Sequence, residues 1–136
     1  FDLKPYLEGE KGVATMVEDQ VREFNRVSGT PAALDTRGTA RQVPVAVATC
    51  LYRVTQEALA NVFKHARASR VDALLEFLPD AVQLEVRDNG QGFDGARAAA
   101  GHGLGNMRQR AEELGGSFTL TTAPGAGTQL VLRLPC

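Results

Sequence analysis

Four polar side chains interrupt an otherwise apolar helical stretch of this 136-residue chain. In EALANVFKHA, a carboxylate, an amide, an ammonium group and an imidazole come from Glu57, Asn61, Lys64 and His65. At about 100° per residue, Asn61 lies about 40° from Glu57, Lys64 about −20° and His65 about 80°. All four therefore project from one arc of the helix. Such an arc could bind a charged ligand, although on an arbitrary helix it is more typical of a solvated stripe with an i,i+4 pair.

A glycine-rich segment is the second candidate for chemistry. The stretch RDNGQGFDG follows a predicted strand, and six of the 14 glycines fall between Gly90 and Gly105. Glycine permits positive φ and lets the backbone approach a ligand closely, so this density fits a mobile segment that covers phosphate groups. An ordinary flexible surface loop is the alternative.

Two other phosphate-binding motifs fit this segment poorly. Residues 90–95 formally match G-x-G-x-x-G. A dinucleotide site would also need a buried parallel strand before the motif and an acidic residue at a second strand end about 20 positions later. Arg110 to Glu113 occupy that position here, inside a predicted helix. The sequence contains no G-x-x-x-x-G-K-[ST] motif, which excludes a P-loop.

Composition limits the classes of protein to consider. The chain is 43% hydrophobic, which favours one globular domain, and its 15 basic residues nearly balance its 16 acidic ones. We therefore expect no nucleic-acid partner. Cys50 and Cys136 form no disulfide or zinc pattern, which favours a reducing, cytoplasmic location. No apolar run approaches the ~20 residues of a membrane span, so we expect no direct membrane contact by this segment.

Hydrophobic periodicity predicts the elements that position these residues. Spacing of three and four residues predicts three helices, and alternation such as Val82, Leu84 and Val86 predicts half-buried strands. The predicted helices cover 12–28, 45–66 and 104–114, the last with a stop at Gly115-Gly116. The predicted strands cover 31–37 at an edge, 70–78 and 81–88 as a hairpin, and 117–123 and 128–134. This order predicts an α+β fold, a two-layer sandwich in which three helices cover one face of a mixed, mainly antiparallel sheet.

The motifs together resemble the nucleotide-binding domain of the GHKL superfamily, which groups gyrase, Hsp90, MutL and the sensor histidine kinases. Its N-box is similar to Glu57-x-x-x-Asn61-x-x-Lys64-His65, its glycine boxes to residues 88–93 and 101–106, and its last small box to Gly127-Thr128. The resemblance covers residues 44–134 and implies a Bergerat-type fold. The phrases LYRVTQEALANVFKHARASRV and GLGNMRQRAEELGG look like the nitrate-sensor and DesK-like branch of bacterial sensor histidine kinases.

The resemblance implies ATP and Mg²⁺ as ligands and assigns roles to matching residues. Asp88 would accept a hydrogen bond from the adenine amino group, Asn61 would bind Mg²⁺, and Lys64 would neutralise phosphate charge. Glu57 occupies the position where the ATPases of the superfamily keep a water-activating base, so Glu57 and Lys64 are the catalytic candidates. The other implied nucleotide contacts are His65, Gly90, Gly92, Phe93, Gly101, His102, Gly103, Leu104, Gly105 and Thr128.

The same resemblance implies an organisation and partners. Residues 1–136 would form a single ATP-binding catalytic domain, and residues 1–11 would be a linker from an upstream dimerisation hairpin that carries the phosphoacceptor histidine. The γ-phosphoryl group would pass to that histidine and then to a response regulator. Two alternatives stay open: an anti-sigma-factor serine kinase of the same superfamily, and an interaction module that does not use nucleotide.

Overall fold

The computed structural model describes residues 12–92 and 104–136, and it describes only the backbone of His65, Ala66 and Leu104. Each predicted helix and strand is present, with small shifts at its ends. The elements are α1 Val13–Ser28, β1 Ala32–Arg37, α2 Val45–Asn61, β2 Val71–Leu78, β3 Ala81–Asp88, α3 Leu104–Glu113, β4 Ser117–Thr122 and β5 Thr128–Pro135.

The strands form one mixed sheet in the order β1-β2-β3-β5-β4. β1 pairs with β2 in parallel, and every other neighbouring pair is antiparallel. β1 lies at an edge, as predicted. The predicted hairpin is also confirmed, since β2 and β3 are joined through Pro79 and Asp80 with Leu78 opposite Ala81.

The hydrophobic core lies between this sheet and the helices. Alternate strand residues face it, and the register places Leu84 of β3 between Leu75 of β2 and Leu132 of β5. Val17 of α1, Leu51 of α2 and residues of α3 join the same buried cluster. Burying each such side chain contributes about 1.5–3 kcal/mol. The intervening strand residues are polar or partly exposed, so the two-layer α+β sandwich is confirmed.

The second helix differs from the prediction over its last five residues. α2 ends at Asn61, and a π-helical turn, Val62–Ala66, continues it until Arg67 adopts φ 49°. In a π-turn each N–H bonds five residues back instead of four, so each residue turns through a smaller angle. Glu57 and Asn61 lie on the α-helical part, whereas Lys64 lies on the π-turn, where the 100° per residue used in the prediction does not apply. Amphipathic spacing could not reveal this change of hydrogen bonding.

Glycines end two of the helices. Gly29, at φ 71°, donates its N–H to Asn25 O at 3.3 Å and closes α1. After α3, Gly115 donates to Glu112 O at 2.9 Å and Gly116 to Ala111 O at 2.8 Å. This is the Schellman arrangement, and the predicted stop of α3 at Gly115-Gly116 is confirmed. Among the helices that the structure describes, none is both long and apolar enough to cross a membrane.

Candidate functional site

The core-facing side of the sheet ends in a row of polar side chains. Asp88 is the last residue of β3 and continues the inward-facing series of Val82, Leu84 and Val86. Its partner on β5 is Thr128, and Thr128 pairs in turn with Thr122 on β4. A face that is apolar along most of its length therefore ends in one carboxyl and two hydroxyl groups.

Burial controls the electrostatics of Asp88. The residue is only 7% exposed, and burial raises the pKa of its carboxyl above the ordinary value. Hydrogen bonds from the backbone N–H groups of Gly90 and Thr128 oppose this pKa shift, and the Gly90 bond measures 2.8 Å to Oδ1. A carboxylate offers about four lone-pair positions, so Asp88 can accept a further hydrogen bond from a ligand.

Thr122 is a member of this row that the sequence did not identify. Its Oγ1 donates to Gly127 O at 3.2 Å and lies 3.0 Å from Thr128 Oγ1. The one available signal was alternation, which places Thr122 on the same face of β4 as Phe118. Only the strand register brings it to the end of the sheet where Asp88 lies.

The turn between β4 and β5 packs on the segment after β3. Gly92, at φ 62°, lies so close to Ala123 that a Cβ on residue 92 would overlap the Ala123 carbonyl oxygen. Gly127, at φ 72°, lies so close to Asp88 that a Cβ on residue 127 would overlap the Asp88 carbonyl oxygen. Gly125 donates its N–H to Gln91 O. Glycine is therefore required at positions 92 and 127 by close approach and by positive φ together. The result is a compact backbone support beside Asp88.

The predicted helical arc borders the same side of α2 that faces α3. Glu57 and Asn61 are half-buried, and Lys64 on the π-turn is exposed. Cys50 lies only about 20° from Glu57 around the helix. Burial raises the pKa of the Cys50 thiol, and the positive charge of Arg110 on α3 opposes that shift, so this side of α2 faces α3. The arc therefore lies on the side of α2 that faces α3.

Asn89 ties the loop after the π-turn to the end of β3. Its Oδ1 accepts hydrogen bonds from the N–H groups of Ser69 and Arg70, both at 3.0 Å. Its Nδ2 donates to Ser69 Oγ at 2.8 Å, and its own N–H donates to Arg70 O at 3.4 Å. Asn89 thus connects the segment that follows Lys64 to the residue next to Asp88.

We expect Asn89→Ala to lower the free energy of unfolding by about 1–2 kcal/mol and to weaken nucleotide binding several-fold, because three side-chain hydrogen bonds are lost at an exposed site. Ser69→Ala removes only one of them and should have less than half that effect. Chemical denaturation and calorimetric titration measure the two quantities. Equal effects of the two variants would show that Asn89 does not position the loop.

Some predicted residues cannot be placed. Phe93, Gly101, His102 and Gly103 lie outside the described residues, and His65 and Leu104 are described by their backbone alone. Gly105 is exposed in the first turn of α3. Within residues 12–92 and 104–136, no three His, Cys, Asp or Glu side chains cluster as a metal-ligand set.

The chain is similar in sequence to known histidine kinases. The chain is 34% identical over 135 residues to the sensor histidine kinase LiaS of Bacillus subtilis (strain 168), and the match covers 98% of this chain and 37% of LiaS. It is 30% identical over 136 residues to the histidine-protein kinase/phosphatase DegS of Brevibacillus brevis, with 99% of this chain and 35% of DegS covered. The chain thus spans little more than a third of these relatives.

Solved structures support the same fold. The ATP binding domain of PrrB from Mycobacterium tuberculosis superposes with a TM-score of 0.73 at 25% identity and covers 90% of this chain and 93% of that one. The blue-light activated histidine kinase of Erythrobacter litoralis shares the fold with a TM-score of 0.73 at 22% identity, over 90% of this chain and 41% of that one. Residues 46–136 match the family model for histidine kinase-, DNA gyrase B- and HSP90-like ATPases, and the chain belongs to that family.

Proposed function

We propose that residues 1–136 form the ATP-binding catalytic domain of a sensor histidine kinase. The buried Asp88 carboxyl, which lies at the end of β3 beside Thr128 and the Gly92 and Gly127 backbone, carries the proposal. A buried carboxyl is costly without partners, and here it retains acceptor capacity. The match to an ATPase family and the naming of LiaS and DegS as histidine kinases support this reading.

Asp88 is the base-selecting residue of this proposal. Adenine presents an exocyclic amino group, which donates, where guanine presents a carbonyl oxygen, which accepts. A carboxylate accepts only, so Asp88 favours adenine and disfavours guanine. Thr128 and Thr122 add hydroxyl groups beside it, and the close packing of Gly92 on Ala123 supports the backbone next to it.

Phosphates and Mg²⁺ are assigned to the other end of the site. Glu57 and Asn61 are half-buried and one helical turn apart on α2, and both carry the oxygen donors that Mg²⁺ prefers. We assign Asn61 as the protein ligand of the metal and Lys64 as the residue that neutralises phosphate charge. Bound Mg²⁺ supplies charge neutralisation at the phosphates. We place Glu57 near the nucleotide. The other proposed nucleotide contacts are His65, Gly90, Phe93, His102, Leu104 and the glycines of residues 101–105.

In the full-length protein, we assign the domain the role of phosphoryl donor. A histidine ring nitrogen attacks the γ-phosphorus, the bond from the γ-phosphorus to the bridging oxygen breaks, and ADP leaves. Positioning and charge neutralisation carry most of such a transfer. The acceptor histidine lies on a separate dimerisation hairpin, to which residues 1–11 are the linker, and a cytoplasmic response regulator then receives the phosphoryl group. The relatives named above are histidine kinases, which favours this role over a serine kinase.

Transfer to an added hairpin tests the proposal. With γ-labelled Mg-ATP, we expect no stable label on this chain alone and slow, acid-labile labelling of a separately supplied dimerisation hairpin from the full-length kinase. Labelling is slow because separate polypeptides lose the effective concentration that a linker provides. Asn61→Ala should reduce labelling at least ~10-fold while it leaves binding of metal-free ATP nearly unchanged.

Three results would contradict parts of this proposal. Failure of the chain to bind ATP in calorimetry would favour an interaction module. Acid-stable label on a serine of an added partner would favour the serine kinase. Undiminished transfer by Asn61→Ala at limiting Mg²⁺ would assign the metal to another residue.

A further inference from the structure

The row of polar side chains at the end of the sheet consists of Asp88 on β3, Thr128 on β5 and Thr122 on β4. These strands are neighbours in the order β3-β5-β4, and neighbouring strands lie about 4.8 Å apart. Asp88 and Thr128 are therefore side by side, whereas Thr122 lies roughly 10 Å from Asp88. A base that contacts Asp88 reaches Thr128 before Thr122, so Thr122 can influence that base through the hydroxyl group of Thr128.

The hydroxyl proton of Thr122 is used by the backbone. Thr122 Oγ1 donates to Gly127 O at 3.2 Å, and a carbonyl oxygen can only accept, so the proton in this bond comes from Thr122. A threonine hydroxyl group carries one proton. Thr122 Oγ1 is therefore the acceptor in its other hydrogen bond, which joins it to Thr128 Oγ1 at 3.0 Å.

This hydrogen bond fixes the direction of the Thr128 hydroxyl group. Thr128 Oγ1 donates its one proton to Thr122 Oγ1, because the Thr122 proton is already bonded to Gly127 O. The hydrogen bond from Thr128 to Asp88 comes from the backbone N–H, so it does not use the hydroxyl proton. Thr128 Oγ1 keeps only its lone pairs for a ligand. It is an acceptor directly beside the acceptor oxygens of Asp88.

We infer that Thr122 is a positioning residue that makes this row selective for a purine with an amino group at position 6. The inference rests on the proposed function and adds how Thr128 takes part in choosing the base. Adenine carries two hydrogens on that amino group, whereas guanine has a carbonyl oxygen there. The neighbouring acceptors of Asp88 and Thr128 match the amino group and offer no donor to a carbonyl oxygen. Without the Thr122 hydroxyl group, the Thr128 hydroxyl can rotate and donate to that oxygen.

Thr122→Val tests this inference, because valine has nearly the shape of threonine and lacks the hydroxyl group. Inosine triphosphate has the carbonyl oxygen of guanine at position 6 but no amino group at position 2, so it is compared with ATP by calorimetric titration. The preference for ATP over inosine triphosphate should fall ~3- to 10-fold in Thr122→Val, which corresponds to one hydrogen bond. Thr122→Ser keeps a hydroxyl group and should keep the wild-type preference. A general loss of affinity cancels, because the preference is a ratio measured within one variant.

Two further variants show whether Thr122 acts through Thr128. Thr121→Val makes the same chemical change on the exposed face of β4 and should leave the preference unchanged. In a Thr128→Val background, the hydroxyl group that Thr122 directs is gone. Adding Thr122→Val to that background should therefore cause no further change in the preference.

The inference is overturned if Thr122→Val keeps the wild-type preference, or if it weakens binding of both nucleotides equally, as a purely structural role would. It is also overturned if Thr122→Ser loses the preference, or if Thr122→Val lowers it further in the Thr128→Val background. Failure of the wild-type chain to bind ATP would overturn the proposed function and this inference with it, so the two kinds of failure are distinct.

Discussion

Asp88→Asn is expected to weaken ATP binding about 10- to 100-fold while the fold stays intact. The substitution replaces a charged acceptor by an amide that presents two donors as well as an oxygen. The amide oxygen can still accept the Gly90 N–H bond, which in the wild type measures 2.8 Å, so the local backbone should persist. Calorimetric titration of ATP and circular dichroism measure affinity and fold.

Base selectivity sharpens this expectation. Because an amide can donate to the guanine carbonyl oxygen, the preference of the Asp88→Asn variant for ATP over GTP should fall along with its affinity. Asp35→Asn, which changes an exposed carboxyl on the edge strand β1, is the matched control and should bind ATP as the wild type does. Equal ATP affinity of wild type and Asp88→Asn would rule out Asp88 as the base-selecting residue.

The raised pKa of Asp88 also fixes how the variant responds to pH. In the folded domain the carboxyl keeps its proton to a higher pH than in the unfolded chain, so the unfolded state binds fewer protons between the two pKa values. This carboxyl therefore lowers stability as pH rises from its unfolded pKa, about 3.9, through its folded pKa. The Asp88→Asn variant has no carboxyl to titrate here. The difference in free energy of unfolding, variant minus wild type, should therefore increase with pH across this window and then stay constant. A pH-independent difference in denaturant unfolding would contradict burial as the cause.

Gly127→Ala is expected to lower the free energy of unfolding by about 3 kcal/mol or more. Gly127 has φ 72°, and a Cβ there would overlap the Asp88 carbonyl oxygen, which is backbone and cannot move freely. Left-handed strain and steric overlap therefore act together. Since the overlap displaces Asp88, ATP affinity should fall as well, and the melting temperature should drop by roughly 10 °C.

Gly125→Ala is the matched control in the same turn. Gly125 has φ 78°, but nothing lies within 4 Å of a Cβ at that position. It should lose only about 1–2 kcal/mol, from left-handed strain, and should bind ATP nearly as the wild type does. Thermal melts and calorimetry of the two variants side by side provide the measurement. Similar losses for both would mean that the turn does not support Asp88.

The sequence by itself determined the elements and the motifs. Alternation in β3 and the Pro79-Asp80 turn predicted a hairpin because a strand with one buried face repeats every second residue. Spacing of three and four residues predicted the helices for the corresponding reason. The order of the polar helix and the glycine boxes indicated the family, because the types and spacing of ligand-binding residues can be read from the sequence without knowledge of the fold.

Only the tertiary structure decided how these parts meet. The pairing of Asp88 with Thr128, the arrival of Thr122 in the same row and the packing of Gly127 on Asp88 join residues far apart in sequence. The parallel pairing of β1 with β2 and the π-turn after Asn61 were equally absent from local patterns. Local propensity fixes whether a segment is a helix or a strand. Strand register and close packing depend on side chains that meet only after the chain has folded, so they cannot be found within any one segment.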